Sequence, residues 1–194
     1  MPAAPARQLK LTDPMALRAV AHPMRLRLLG LLRHEGALTA TQAAERVGES
    51  PAACSFHLRQ LAKYGLVEEA GGGRGRERPW RATAIFTSWP AAPEIPELAA
   101  ASEMLSTVIA ERYFEQLMNW LERRSSEPRE WQERELFGDV AVHLTPEELG
   151  ELDRSVQELI EPYVERIGNP ELRPEGSRLV MFVAFGFPLA DAEA

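Results

Sequence analysis

The stretch Ser50-Pro-Ala-Ala-Cys-Ser-Phe-His-Leu-Arg-Gln-Leu-Ala-Lys-Tyr-Gly-Leu-Val67 decides the fold. Serine caps helices because its hydroxyl accepts a hydrogen bond from an amide of the first turn. Proline suits the first helical position, where its fixed φ is already helical and its missing N–H is not needed. Ser50 and Pro51 therefore start a helix, which runs to about Tyr64 and is closed by Gly65. Cys54, Leu58 and Leu61 recur at helical spacing and mark its inward face. Ala52, Ser55, Phe56, Arg59 and Lys63 are left on the outer face. Leu66 to Ala70 then reads as a strand.

Upstream, Thr39-Ala-Thr-Gln42 is a capping box that opens a helix from about Ala40 to Val47, and Gly48 ends it. Before that, His22 and Pro23 start a helix that Gly36 stops. Met24, Leu28, Leu31 and Leu32 form its apolar stripe, with Arg25 and Arg33 outside it. Asp13 caps a short helix with Pro14 at its first position. Downstream, Gly71 to Arg76 is a glycine and arginine tip, and Arg78 to Ile85 is a return strand. A short helix, a tight turn, a second helix and a hairpin are the order of a winged helix-turn-helix.

Pro90, Pro93 and Pro96 mark the clearest boundary in the chain. From Glu97 to Arg124 the apolar row Ala101, Leu105, Ile109, Tyr113, Leu117 and Leu121 predicts one long helix. Leu136 to Leu144 alternates as a strand would, and Thr145-Pro-Glu-Glu148 is a second capping box opening a helix to about Ile167, kinked or divided at Pro162. Arg178 to Phe187 reads as a buried strand. The expected class is mainly α with small β. A flexible arm (1–11) precedes a winged helix-turn-helix domain (12–90), a long dimerisation helix (97–124) and a C-terminal α+β region (125–194).

Composition narrows the function. The 194 residues are 45% hydrophobic and 26% charged, enough apolar material for a core. A single cysteine excludes an internal disulfide framework. No apolar run is long enough to span a bilayer, and Met1 to Lys10 lacks the apolar stretch of a secretory signal, so a cytoplasmic protein with no membrane partner is expected. Net charge is −7, but it is unevenly held. Residues 1–90 carry 13 basic against 7 acidic side chains, a net +6; residues 91–194 carry 9 against 22, a net −13. A basic half joined to an acidic half fits one half meeting a polyanion. All the basic residues but Lys10 and Lys63 are arginine, so an arginine at any one position does not by itself argue for bidentate contacts.

The segments His22-Pro-Met-Arg-Leu-Arg-Leu-Leu29, Leu38 to Gly48 and Ser50 to Val67 resemble the ArsR-type winged-helix transcription regulators. Ser50, Ser55, His57, Leu58, Leu61, Gly65, Leu66 and Val67 match the second-helix pattern of that family in order and spacing. The resemblance covers about residues 12–85. It implies a homodimer, a second helix inserted in the major groove, and repression relieved by a ligand.

The residues agree with that implication. A helix fits the major groove. Ser50, Ala52, Ser55, Phe56, His57, Arg59, Gln60 and Lys63 form the expected DNA surface, with Arg74 and Arg76 of the wing against the minor groove or backbone. His57 reads as a phosphate contact or a packed residue, and Phe56 as a thymine-methyl contact or a support under the wing. Leu98, Ala101, Leu105, Val108, Ile109 and Leu117 are the expected dimer interface, although packing on the helix's own chain would use the same stripe. Met181, Phe182, Phe185 and Phe187, with Trp131 and Tyr163, either fill a core or line a cavity for an apolar effector.

No cofactor or metal is expected. Cys54 stands alone on an inward face, and His22, His34, His57 and His143 lack ligand spacing. No catalytic order of Ser, His and Asp and no phosphate-binding Gly-Lys motif points to an enzyme. Glu147 and Glu148 sit in a first helical turn, where the helix dipole accounts for them. The expected function is a sequence-specific, dimeric regulator of transcription that binds double-stranded DNA as a repressor. The alternative is a protein-interaction module on a winged-helix scaffold.

Overall fold

The computed structural model describes residues 6–72 and 78–190. Arg74 and Arg76 lie outside the described residues, as do positions 1–5 of the expected arm. The chain divides into two units, Met1–Glu115 and Gln116–Ala194.

The first unit opens with β1 (Ala6–Lys10) and α1 (Pro14–Val20), followed by α2 (Pro23–Glu35), α3 (Ala40–Val47) and α4 (Pro51–Lys63). The strands β2 (Val67–Glu69), β3 (Trp80–Ala82) and β4 (Ala84–Ser88) complete it with the first part of α5 (Pro96–Arg123). The helix starts follow from local chemistry. The Asp13 carboxylate accepts from the Met15 amide at 2.9 Å, and His22 Nδ1 accepts from the Met24 amide at 3.2 Å. In the Thr39 box, the Gln42 amide donates to Thr39 Oγ1 at 3.2 Å and the Thr39 amide donates to Gln42 Oε1 at 2.9 Å. Gly48 ends α3 in the left-handed region (φ 70°), which a side chain would strain.

The core gathers Leu17 and Val20 of α1, Leu28, Leu29 and Leu32 of α2, Ala43 and Ala44 of α3, and Cys54, Leu58 and Leu61 of α4. Leu66, Val67 and Trp80 of the wing close one side. β2 and β3 are antiparallel, with Glu68 opposite Arg81 and Glu69 opposite Trp80. An added bridge joins Trp80 to Leu38, ahead of α3.

Several expectations need correction. Residues 6–10 are not a loose arm: β1 pairs parallel with β4, Gln8 opposite Phe86 and Leu9 opposite Thr87. The return strand is broken in two at Thr83, whose amide donates to the Leu66 carbonyl and whose hydroxyl donates to the Gly65 carbonyl. The chain bends there, and β4 leaves the wing to meet β1. Arg33 is not outside the α2 stripe. Its guanidinium reaches inward to the Ala84 carbonyl (3.0 Å) and the Thr87 hydroxyl (2.6 Å). Burial pulls its pKa down to about 10, still charged at neutral pH.

Leu98, Ala101 and Leu105 of α5, expected at a dimer interface, are buried in the core of their own chain. Val108 and Ile109 pack partly against the same core, and Leu117 is exposed.

The second unit holds the end of α5, a short α6 (Arg129–Gln132) and α7 (Pro146–Val164). Thr145 and Glu148 form the second capping box, with the Glu148 amide donating to Thr145 Oγ1 at 3.2 Å. Pro162 falls in the last turn of α7 and does not divide the helix, which ends two residues later at Val164. The strands expected at 136–144 and 178–187 are absent, and the described part of 125–194 is therefore not α+β. A strand exists only where a second edge takes its backbone hydrogen bonds, and neither segment meets one.

Candidate nucleic-acid interface

The candidate surface is built on α4. Ser50 caps it, its hydroxyl accepting from the Ala53 amide at 3.1 Å. One face is driven inward: Cys54, Leu58 and Leu61 are each 0% exposed. The helix period then sends Ala52, Phe56, Arg59 and Lys63 to solvent, with Ser55 half-buried between them. These are the outer-face residues expected from spacing, and the structure brings them together on one ridge. Phe56 is 52% exposed and touches the His57 ring edge-on at 5.3 Å between centroids. Gln60 is half-buried on the flank.

Arg59 is pre-positioned by a hydrogen bond from its guanidinium to Ser55 Oγ, 2.8 Å, one helical turn back. Between this ridge and the wing lies a cleft of about 470 Å³. Thr39 and Thr41 line it from the start of α3, Ser55 and Arg59 from α4, and Glu69 and Arg78 from the wing. Arg78 donates to Glu69 at 2.8 Å across the wing. The cleft thus offers the Arg59 guanidinium and hydroxyl groups around an open space, with the Arg78 guanidinium paired to Glu69 at its edge. Such a set suits an anionic backbone lying between helix and wing. Thr39 and Thr41 were not among the expected contacts. Thr39 showed in the sequence only as a cap, and no sequence signal marked that the same turn faces the recognition helix.

Behind the ridge, His57 meets His22 of the α2 start, ring centroids 4.7 Å apart. Both imidazoles are held below their ordinary pKa. For His22 burial is the main cause and Arg25 adds to it. For His57 burial leads, then His22 and Arg25, opposed by Glu49. His57 Nδ1 and Arg25 Nε are buried with no hydrogen-bond partner among the described residues. Arg25 was set aside in the sequence as lying off the apolar stripe; its place beside two histidines comes from packing across 32 residues of chain. Cys54 is buried in the core, and burial raises the pKa of its thiol, which favours the neutral form.

The described residues contain no group of three or more His, Cys, Asp or Glu placed to hold a metal ion, and no helix long and apolar enough to cross a membrane. Met181, Phe182, Phe185 and Phe187 do not fill a core: they are exposed, as is Tyr163, while Trp131 is half-buried.

Against known proteins, a family model described as a helix-turn-helix domain matches residues 20–70. The match spans α2, α3, α4 and β2, so this part of the chain is a helix-turn-helix domain. No curated protein matches the chain. Among solved structures, the chain is similar to reduced HlyU from Vibrio cholerae N16961, at 23% identity over 48% of this chain and 84% of that one, with a TM-score of 0.32. A mutant of Lactococcus lactis ZitR in its apo form is 17% identical, covering 77% and 88% of the two chains, with a TM-score of 0.33. Wild-type apo MarR from E. coli is 12% identical, covering 76% and 87%, with a TM-score of 0.33.

Proposed function

We propose that this chain, with its helix-turn-helix domain at residues 20–70, is a sequence-specific DNA-binding regulator of transcription of the ArsR type. It works in the cytoplasm as a homodimer, represses, and is released by a small-molecule effector. The observation that carries the reading is the two-sidedness of α4: its core face is wholly buried, while Ala52, Phe56, Arg59 and Lys63 stand clear on the other side.

In this reading α4 enters the major groove. Ala52 and Phe56 meet thymine methyls or base edges, and Arg59 reads a base or holds a phosphate. The helix N-terminus at Ser50 faces a phosphate with its free amides. A phosphate lies in the cleft between Arg59 and Arg78, and His57 and Gln60 flank the ridge. Arg74 and Arg76, expected from the sequence, meet the minor groove or the backbone. Acidic residues 91–194 are repelled by the duplex, which directs the basic half onto it.

The test is selection of genomic fragments by the purified chain, followed by binding titrations at several salt concentrations. Affinity should fall linearly on a log–log plot of binding constant against salt. Arg59→Ala should weaken binding by about 1–3 kcal/mol and relax preference at one base position. Equal binding to all fragments, unchanged by Arg59→Ala, would refute the reading. Repeating the selection with cell extract reports whether an effector releases the protein.

A further inference from the structure

The two arginines of the cleft are held in different ways. Arg59 donates to the neutral Ser55 hydroxyl at 2.8 Å and has no carboxylate partner among the described residues. Arg78 donates to the Glu69 carboxylate at 2.8 Å. Among the described residues lining the cleft, Glu69 is the one acidic side chain.

The wing hairpin fixes this pairing. β2 and β3 set Glu69 opposite Trp80, and the ladder continues one step, the Ala70 amide donating to the Pro79 carbonyl at 2.7 Å. Arg78 adjoins that last paired row. Successive side chains of a strand point to opposite faces. Glu69 and Trp80 share the cleft face, while Glu68 lies on the other, where it pairs with Arg81 at 2.7 Å.

We propose that Glu69 is a specificity-determining residue: its carboxylate stands in for a DNA phosphate on Arg78 in the free chain, and a phosphate held at the cleft by correct base contacts is what displaces it. The inference rests on the DNA-binding reading of α4 and adds to it an acidic competitor inside the phosphate cleft.

Charge is the reason. Arg59 leaves only a neutral hydroxyl behind when it turns to a phosphate. Arg78 leaves a carboxylate, and that like charge stays beside the arriving phosphate in the same cleft. The exchange is still within reach, because the side chains of Arg78 and Glu69 are 69% and 45% exposed and pairs in water hold weakly. A pair of that strength yields to a phosphate fixed in place and resists one that is only passing.

Register decides which phosphates are fixed. On a preferred duplex the base contacts of α4 hold one backbone position at the cleft. On an arbitrary duplex no position is held, and Glu69 repels the backbone wherever the chain rests. Glu69 therefore weakens non-specific binding more than specific binding. Salt dependence follows from the same geometry. An arginine that neutralises a phosphate releases a counterion from the duplex, and a neutral Arg78–Glu69 pair releases none.

The experiment is fluorescence anisotropy of the full chain on a duplex taken from the genomic selection and on a scrambled duplex of equal length, at several salt concentrations. Glu69→Gln should tighten binding to the scrambled duplex by about three- to tenfold and to the selected one by less. Its log–log salt slope on the scrambled duplex should steepen by about one. Glu68→Gln makes the same charge change on the other face and should move neither quantity as far. In an Arg78→Ala background the gain from Glu69→Gln should shrink to that of Glu68→Gln. Equal effects of Glu69→Gln and Glu68→Gln overturn the proposal, as does a gain that is undiminished without Arg78. Should Glu69→Gln lower the melting temperature, Glu69→Asp decides: it keeps the charge and withdraws it by one methylene. A tighter scrambled complex from Glu69→Asp supports the proposal, and an unchanged one refutes it. A wild-type chain that binds neither duplex sinks the functional reading and this inference together. A chain that prefers the selected duplex but treats Glu69→Gln as it treats Glu68→Gln sinks this inference alone.

Discussion

The two units of this chain spend the same kinds of residues differently. In the first, leucines and alanines at helical spacing meet across α1, α2, α3, α4 and the start of α5, and close a core around Leu17, Leu28, Leu58 and Leu61. In the second, a well-capped α7 and two apolar segments leave Leu136, Leu159, Leu179 and Phe187 in solvent. Both have sound local signals, including one capping box each. The difference is what lies opposite each apolar face. A helix or strand acquires tertiary stability from a second layer, not from its own caps.

The largest contrast is expected from core truncation. Leu58→Ala should cost about 2–5 kcal/mol of unfolding free energy, since the side chain is fully buried and the site is closed on all sides. Leu159→Ala, on the exposed side of α7, should shift a urea midpoint hardly at all. Equal losses at both positions would mean that the second unit shares the core of the first.

The two capping boxes give a smaller test. Thr39→Ala removes one donor–acceptor pair at the head of α3 and should cost about 1 kcal/mol of the cooperative transition. Thr145→Ala should lower helicity at α7 by far-ultraviolet dichroism without moving that transition.

Acid should act on the first unit through His22 and His57. Their folded pKa values lie below 6.5, so the unfolded chain binds protons more readily. Stability is complete above pH 6.5 and is lost as pH falls from there through the lowered folded values. The groups facing the pair are Arg25, which disfavours protonation, and Glu49, which favours it at His57. The melting temperature should drop between pH 7.5 and 5.5, and less so in His57→Gln. A flat profile would mean that the imidazoles are not held neutral by burial.

The smallest effect is expected at the surface ion pair of Arg129 with Glu133 in the second unit. Glu133→Gln should leave chemical denaturation unchanged at moderate salt, because exposed pairs are screened and flexible.

Much of the recognition ridge was legible because its signals are local. Ser50, Pro51 and Gly65 bound α4, and the period of Cys54, Leu58 and Leu61 assigns its faces without reference to anything distant. The cleft was not legible in the same way. Thr41, Arg59 and Arg78 face one space only because α3, α4 and the wing fold together. Likewise, the stripe of α5 reads the same whether it covers its own chain or another. Its first half, at Leu98, Ala101 and Leu105, went to its own core.

By itself, then, the sequence determined where helices begin and end and which side of α4 turns inward, since a cap bonds within three residues and a helical face repeats within four. Tertiary structure alone decided that β1 lies beside β4, that Arg33 turns in to Ala84 and Thr87, and that 136–144 and 178–187 form no strand. Each of those outcomes depends on a partner tens of residues away, and local periodicity carries no information on whether that partner arrives.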